Sequence, residues 1–195
     1  MRSIRTSLIA GAALVTGCAF ALASVAIYRG AKTAMIADVD DELDEEIRLV
    51  ASTVRTAGAS VELGFQDLDM PEFTSARGAG YLEIWLEDGR VLYRSPVLAG
   101  GDIYAAVPAE INRTEFAWVH APDGARVRSA SLRFEAQRSD KDTSISETGA
   151  PLKVRATAAV EPEEINGFLE HLKILLLSVG VLTGLAAALT LAVVI

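Results

Sequence analysis

Two apolar runs constrain this chain more than any other feature of it. Leu8–Tyr28 is 21 residues without a formal charge, and Ile174–Ile195 is 22. A bilayer core about 30 Å thick takes roughly 20 apolar helical residues to cross. One central Asp, Lys or Arg adds about 2.5–3.5 kcal/mol to insertion, and neither run carries one. Both read as membrane-spanning helices in contact with lipid. The chain then divides into a short N-terminal segment (1–7), a first span (8–28), an intervening domain (29–173) and a second span (174–195).

Charge separates the parts equally sharply. All 26 acidic residues and 16 of the 18 basic ones lie within 29–173, which gives that domain a formal charge of −10. Nucleic acid is excluded as a partner, because phosphate binding needs clustered Lys and Arg. Arg2 and Arg5 precede the first span and place the N-terminus in the cytosol by the positive-inside bias, although Arg29 and Lys32 blunt the signal. With two spans, residues 29–173 are then extracytoplasmic.

Two other readings of the N-terminus compete. Ala21-Leu22-Ala23 has the form of a signal-peptide cleavage site, and Leu14-Val15-Thr16-Gly17-Cys18 has the form of a lipoprotein box. The apolar run continues to Tyr28, past the roughly 7–15 residues of an ordinary signal core, which favours an uncleaved anchor. Cys18 is the only cysteine, so no internal disulfide exists.

Beyond the first span, apolar residues recur at Ile36, Val39, Leu43, Ile47, Val50 and Val54, a heptad-like seam. Asp38, Asp40, Asp41, Glu42, Asp44, Glu45 and Glu46 run between them. One helix is expected from the membrane to about Arg55, ended by Gly58, its seam packing on its own domain or on a second copy. Residues 57–80 read as a loop with one short helical turn. Two hairpins follow. Tyr81–Leu86 and Arg90–Ser95 flank Glu87-Asp88-Gly89, and Phe116–His120 and Val127–Ala136 flank Pro122-Asp123-Gly124. Ser139–Ala150 is polar and aperiodic and reads as a mobile loop. Leu152, Val154, Ala156, Ala158 and Val160 alternate with polar residues as a last half-buried strand. Pro162 and its acidic neighbours then open a helix that runs into the second span. The expected class is α+β, with about five antiparallel strands between long N- and C-terminal helices.

The stretch Tyr81-x-x-x-Trp85-x-x-Asp88-Gly89-x-x-Leu92-x-x-Ser95-Pro96, the later Asp123-Gly124, Arg128 and Leu132-Arg133-Phe134, and the acidic helix leaving the first span together resemble the N-terminal sensor region of bacterial two-component sensor histidine kinases. The resemblance covers essentially all of 1–195, and the order of elements carries more of it than the motifs. It implies a small PAS-like mixed α/β domain in the periplasm, held in the inner membrane by both spans. It further implies a homodimer and an extracytoplasmic ligand. A cytosolic kinase output with its response regulator would lie beyond this sequence. His120 and His171 occupy no cytosolic position for a phospho-acceptor, and no Gly-rich nucleotide loop is present, so the chain reads as an input half. A stand-alone membrane-anchored binding or accessory protein is the rival reading.

Few residues signal chemistry. Asp38, Asp41, Glu42 and Glu45 supply oxygen ligands for a hard cation, but carboxylates on one straight helix fan around its axis, and a solvated face is the expected reading. Ile36, Val39, Leu43, Ile47 and Val50 are the candidate dimer seam. Gly180 and Gly184 in the second span, with Ala188, allow close helix approach, as do Ala13, Gly17 and Ala21 in the first. Ser95, Ser129 and Ser131 show no His–Asp companions in the pattern of a catalytic set. His120 lacks partners for a metal site, and His171 reads as an interfacial residue. Asn112-Arg113-Thr114 is a formal glycosylation sequon, without meaning in a bacterium. No cofactor motif is present.

Overall fold

A computed structural model describes residues 4–57, 60–64, 70, 73, 80–103, 105–138 and 152–194. The chain forms two units, one of Met1–Ala37 with Glu163–Ile195, the other of Asp38–Pro162.

The first unit contains the N-terminal part of one long helix and the whole of another. Helix α1 (Ile4–Thr53) is 50 residues long and helix α2 (Glu163–Val194) is 32. At 1.5 Å per residue, α1 extends about 75 Å. Both are long and apolar enough to cross a membrane, and none of the most apolar window of either is buried. Several hydroxyls of the two apolar stretches bond back onto carbonyls of their own helix. Thr16 donates to the Ala12 carbonyl, Ser178 to Leu175, Thr183 to Val179 and Thr190 to Ala186.

The second unit is built on a five-stranded antiparallel sheet. Its strands are β3 (Gly80–Leu86), β4 (Val91–Arg94), β5 (Thr114–His120), β6 (Arg126–Glu135) and β8 (Lys153–Val160), in the order β4-β3-β8-β6-β5. The first and last of the five therefore pair at the centre. Asp-Gly turns close both expected hairpins. Gly89 and Gly124 each adopt φ +88°, the left-handed conformation such turns require. Oδ1 of Asp88 and of Asp123 each accepts the backbone N–H two residues on, at 2.9 Å.

One face of the sheet is covered by the C-terminal part of α1. Leu43, Ile47 and Val50 are buried with Leu82, Ile84 and Leu86 of β3, Ala130, Leu132 and Phe134 of β6, and Val154, Ala156 and Ala158 of β8. Alanines in the central strand leave room for the larger helix residues. Polar contacts flank the seam. The Arg128 guanidinium donates to both carboxylate oxygens of Asp40 at 2.6 and 2.7 Å. The Thr114 hydroxyl donates to Asp44, which also receives Arg48 at 2.8 Å.

Three local expectations change. Helix α1 ends at Thr53 rather than near Arg55, and Val54 of the seam opens a strand. Val54 and Thr56 are β-branched, and the Ser52 and Thr53 hydroxyls turn back onto the Leu49 and Val50 carbonyls. Part of the stretch read as a loop is a strand, Ser60–Leu63. A second sheet therefore exists, in the order β2-β1-β7, from β1 (Val54–Ala57), β2 (Ser60–Leu63) and β7 (Gln137–Arg138). Gly58 and the Ser139–Ala150 stretch lie outside the described residues.

Candidate functional site

The sheet face away from α1 is organised in rows by the strand register. Tyr81, Ala159 and Ser129 lie opposite one another, then Glu83, Thr157 and Ser131, then Trp85, Arg155 and Arg133, each triplet running across β3, β8 and β6. Side chains two apart share a face, so a largely apolar row, a polar row that includes the Glu83 carboxylate and a row with two arginines follow in order.

The apolar end is covered by the connection from β4 to β5. Leu98 and Ile103 of that connection are buried with Tyr81, Ala121, Val127 and Ala159. Glu83 holds the connection down. Its side chain is fully buried, accepting from Arg94 Nε at 2.6 Å and from the Ile103 backbone N–H at 2.9 Å. Arg94 also donates to the Gly100 carbonyl at 3.0 Å and to Asp102. Burial pushes the Glu83 carboxyl up from its ordinary range, while the Ile103 N–H and Arg94 pull it back. The hydrogen bond to Glu83 raises Arg94. Tyr81 donates to Asp123 Oδ2 at 3.1 Å, and burial with that carboxylate pushes its phenol up to about 12.

The hydroxyls on and beside this face are taken up within the fold. Ser131 and Thr157 share a hydrogen bond of 3.0 Å, and Ser129 donates to the Ala117 carbonyl. Ser95 Oγ accepts the Leu82 N–H. All three serines flagged in the sequence are thus occupied in structural bonds.

The third row lines a cleft. Trp85, Arg155 and Arg133 are joined there by Glu87, Lys153, Gly89 and Val107, around a volume of about 130 Å³. Arg155 lies over the Trp85 ring, 4.1 Å from its centroid. Desolvation lowers its pKa, and the Glu83 charge opposes that. Arg133 is ion-paired with Glu87, which stands 3.9 Å from Lys153. Arg155 makes no ion pair among the described residues. Among the described residues, three cations face one carboxylate there. The cleft can bind and orient an anion; among the described residues it holds no nucleophile paired with a base.

The residues singled out in the sequence fall elsewhere. Leu43, Ile47 and Val50 of the proposed seam are buried in their own subunit's core, and Val39 packs partly against it. Those side chains are occupied within the folded domain, which leaves half-buried Ile36 as the seam member outside that core. Asp38, Asp41, Glu42 and Glu45 are exposed on α1. No group of three metal-ligating side chains forms among the described residues. Gly180 faces Phe20 across the spans, where an added Cβ would stand 3.1 Å from the ring. Gly184 has nothing within 4 Å of such a Cβ; with Ala13, Gly17 and Ala21 it lines an inter-helix gap of about 510 Å³. His171 Nδ1 is 2.7 Å from the Gly167 carbonyl.

Comparison of the chain with family models, with curated proteins and with solved structures finds no match.

The cationic row escaped the sequence reading for a definite reason. Lys153, Arg155 and Thr157 were the polar half of an alternating strand, the half normally given to solvent. Only the pairing of β8 with both β3 and β6 brings Trp85, Arg155 and Arg133 together. The one local hint is Trp85, a large ring in a strand whose other face is already apolar.

Proposed function

We propose that this chain is the input module of a bacterial sensor. Its two spans hold residues 29–173 in the periplasm, where an extracytoplasmic signal is detected and passed to a cytosolic output. The output favoured by the resemblance is the kinase of a two-component system, working as a homodimer. One observation carries the reading: α1 is a single helix whose N-terminal part is apolar and exposed and whose C-terminal part forms the domain's core. The last strand, β8, leads through Pro162 directly into α2. A rearrangement of the sheet therefore has two rigid levers to act on, which a simple tether would not need. A five-stranded antiparallel sheet with its first and last strands paired at the centre also fits a PAS-like domain.

A ligand shifts a two-state receptor only by the difference in its affinity for the two states. Here those states would differ in the placement of the segments Thr33–Asp40 and Pro162–Lys173. One residue inserted after Lys173 turns all that follows by about 100°, whereas seven inserted residues nearly restore the phase, with a drift of ~20°. With a kinase output fused after Ile195, the single insertion should lock activity high or low and the seven-residue insertion should keep the response. If both leave the response unchanged, helix continuity carries no signal, and an anchored accessory protein becomes the better reading.

A further inference from the structure

The row Trp85–Arg155–Arg133 is costly as it stands. Arg155 and Arg133 are direct cross-strand partners, and like charges placed opposite one another destabilise a sheet. Glu87 answers Arg133 and approaches Lys153. Among the described residues Arg155 has the face of Trp85 and no carboxylate partner, and an aromatic face stabilises a cation less than a carboxylate does. Desolvation already works against its charge. A sheet meant only to be stable would not place this group here, because an apolar side chain would complete the face at no such cost.

We propose that this cleft is a binding site for a small organic anion, whose carboxylate pairs with Arg155 while its apolar or aromatic body lies against Trp85 and Val107. The planar guanidinium offers a fork of donors that matches a carboxylate bidentately. The Trp85 ring lies beneath that fork, and Val107, 58% exposed on the β4–β5 connection, forms an apolar side. Volume limits the body. At about 130 Å³ the cleft is close to the roughly 150 Å³ of an engineered cavity that takes benzene, so one ring or a short branched chain fits and a peptide side does not. Charge sets the sign: the domain as a whole carries −10, and the cations of this cleft oppose that locally. The anion also touches the structure where a signal would begin. Arg155 is on β8, the strand that runs into α2, and Val107 belongs to the connection held down by Glu83.

The site's role as the stimulus rests on the sensor reading above; binding itself does not. The test uses the full chain in lipid nanodiscs with Trp118→Phe, which leaves Trp85 as the only tryptophan. Benzoate is the probe, benzamide its neutral isostere, and inorganic phosphate an oxyanion without an apolar body. Benzoate should quench Trp85 saturably. Benzamide, phosphate and the Arg155→Gln variant should each bind at least about tenfold more weakly, the scale of losing a charged hydrogen bond or the apolar contact. Because Arg155→Gln also alters the sheet, Val107→Phe serves as a second variant: it fills the cleft from an exposed position and should abolish quenching with the far-ultraviolet circular dichroism and thermal unfolding unchanged. Equal binding of benzoate and benzamide, or benzoate binding that survives Arg155→Gln or Val107→Phe, overturns the site. So does the absence of saturation. Saturable benzoate binding that leaves a fused kinase output unmoved keeps the site and counts against the sensor reading. Failure to bind, with phase-sensitive output intact, removes the site and keeps that reading.

Discussion

Ile47→Ala separates the two uses open to the seam on α1. Ile47 is fully buried between α1 and the sheet, among Leu82, Ile84, Leu132 and Ala156. The substitution removes three carbons and leaves a cavity that the rigid sheet cannot close. Such truncations cost about 2–5 kcal/mol; the alanines of β8 already sit close to the helix, so collapse is limited and the middle of that range applies. For a domain of this size, about 3 kcal/mol lowers Tm by roughly 10 °C. The assay is thermal unfolding of the full chain in nanodiscs, followed by near-ultraviolet circular dichroism from Trp85 and Trp118, which reports the domain and not the spans. Ile36→Ala is the control. Ile36 is half-buried and outside the core cluster, so its loss should shift Tm by no more than a few degrees. An Ile47→Ala variant with unchanged Tm but weakened crosslinking between copies would refute the reasoning and return the seam to a two-fold contact.

Two further predictions test the other face. The Tyr81 phenol should titrate near pH 12, read as the component of the tyrosinate absorbance at 295 nm that a Tyr81→Phe variant lacks. Its folded pKa lies above its ordinary 10, so the stability it contributes is complete below pH 10 and lost as pH rises through 12; Asp123→Asn should bring the value down. Gly101→Ala should destabilise the domain by about 1–3 kcal/mol, measured by the same thermal unfolding. An added Cβ there would stand 2.5 Å from Pro122 Cγ, packing the β4–β5 connection against the second hairpin turn.

What the sequence made legible follows from length and period. The spans, the two Asp-Gly hairpins and the alternating last strand each repeat a signal over many residues or contain a turn residue with one conformational purpose. Strands Val54–Ala57 and Ser60–Leu63, at four residues each, complete too few periods to register, so the second sheet was missed. The heptad-like seam was legible as a buried stripe, but its partner was not. A helix stripe reads the same whether a sheet or a second helix covers it. The candidate cleft was hidden for another reason. Register across three strands is a tertiary fact, and nothing near Arg155 in the chain says that Arg133 will be its cross-strand neighbour.

Topology is the measurement on which the whole account turns. In a Cys18→Ser background, single cysteines at Val107, in the domain, and at Ser3, before the first span, are treated with a membrane-impermeant maleimide on intact cells whose outer membrane has been made permeable. The account predicts rapid labelling at position 107 and labelling at position 3 only after the inner membrane is broken. Protection of position 107 until lysis would put the domain in the cytosol and contradict it.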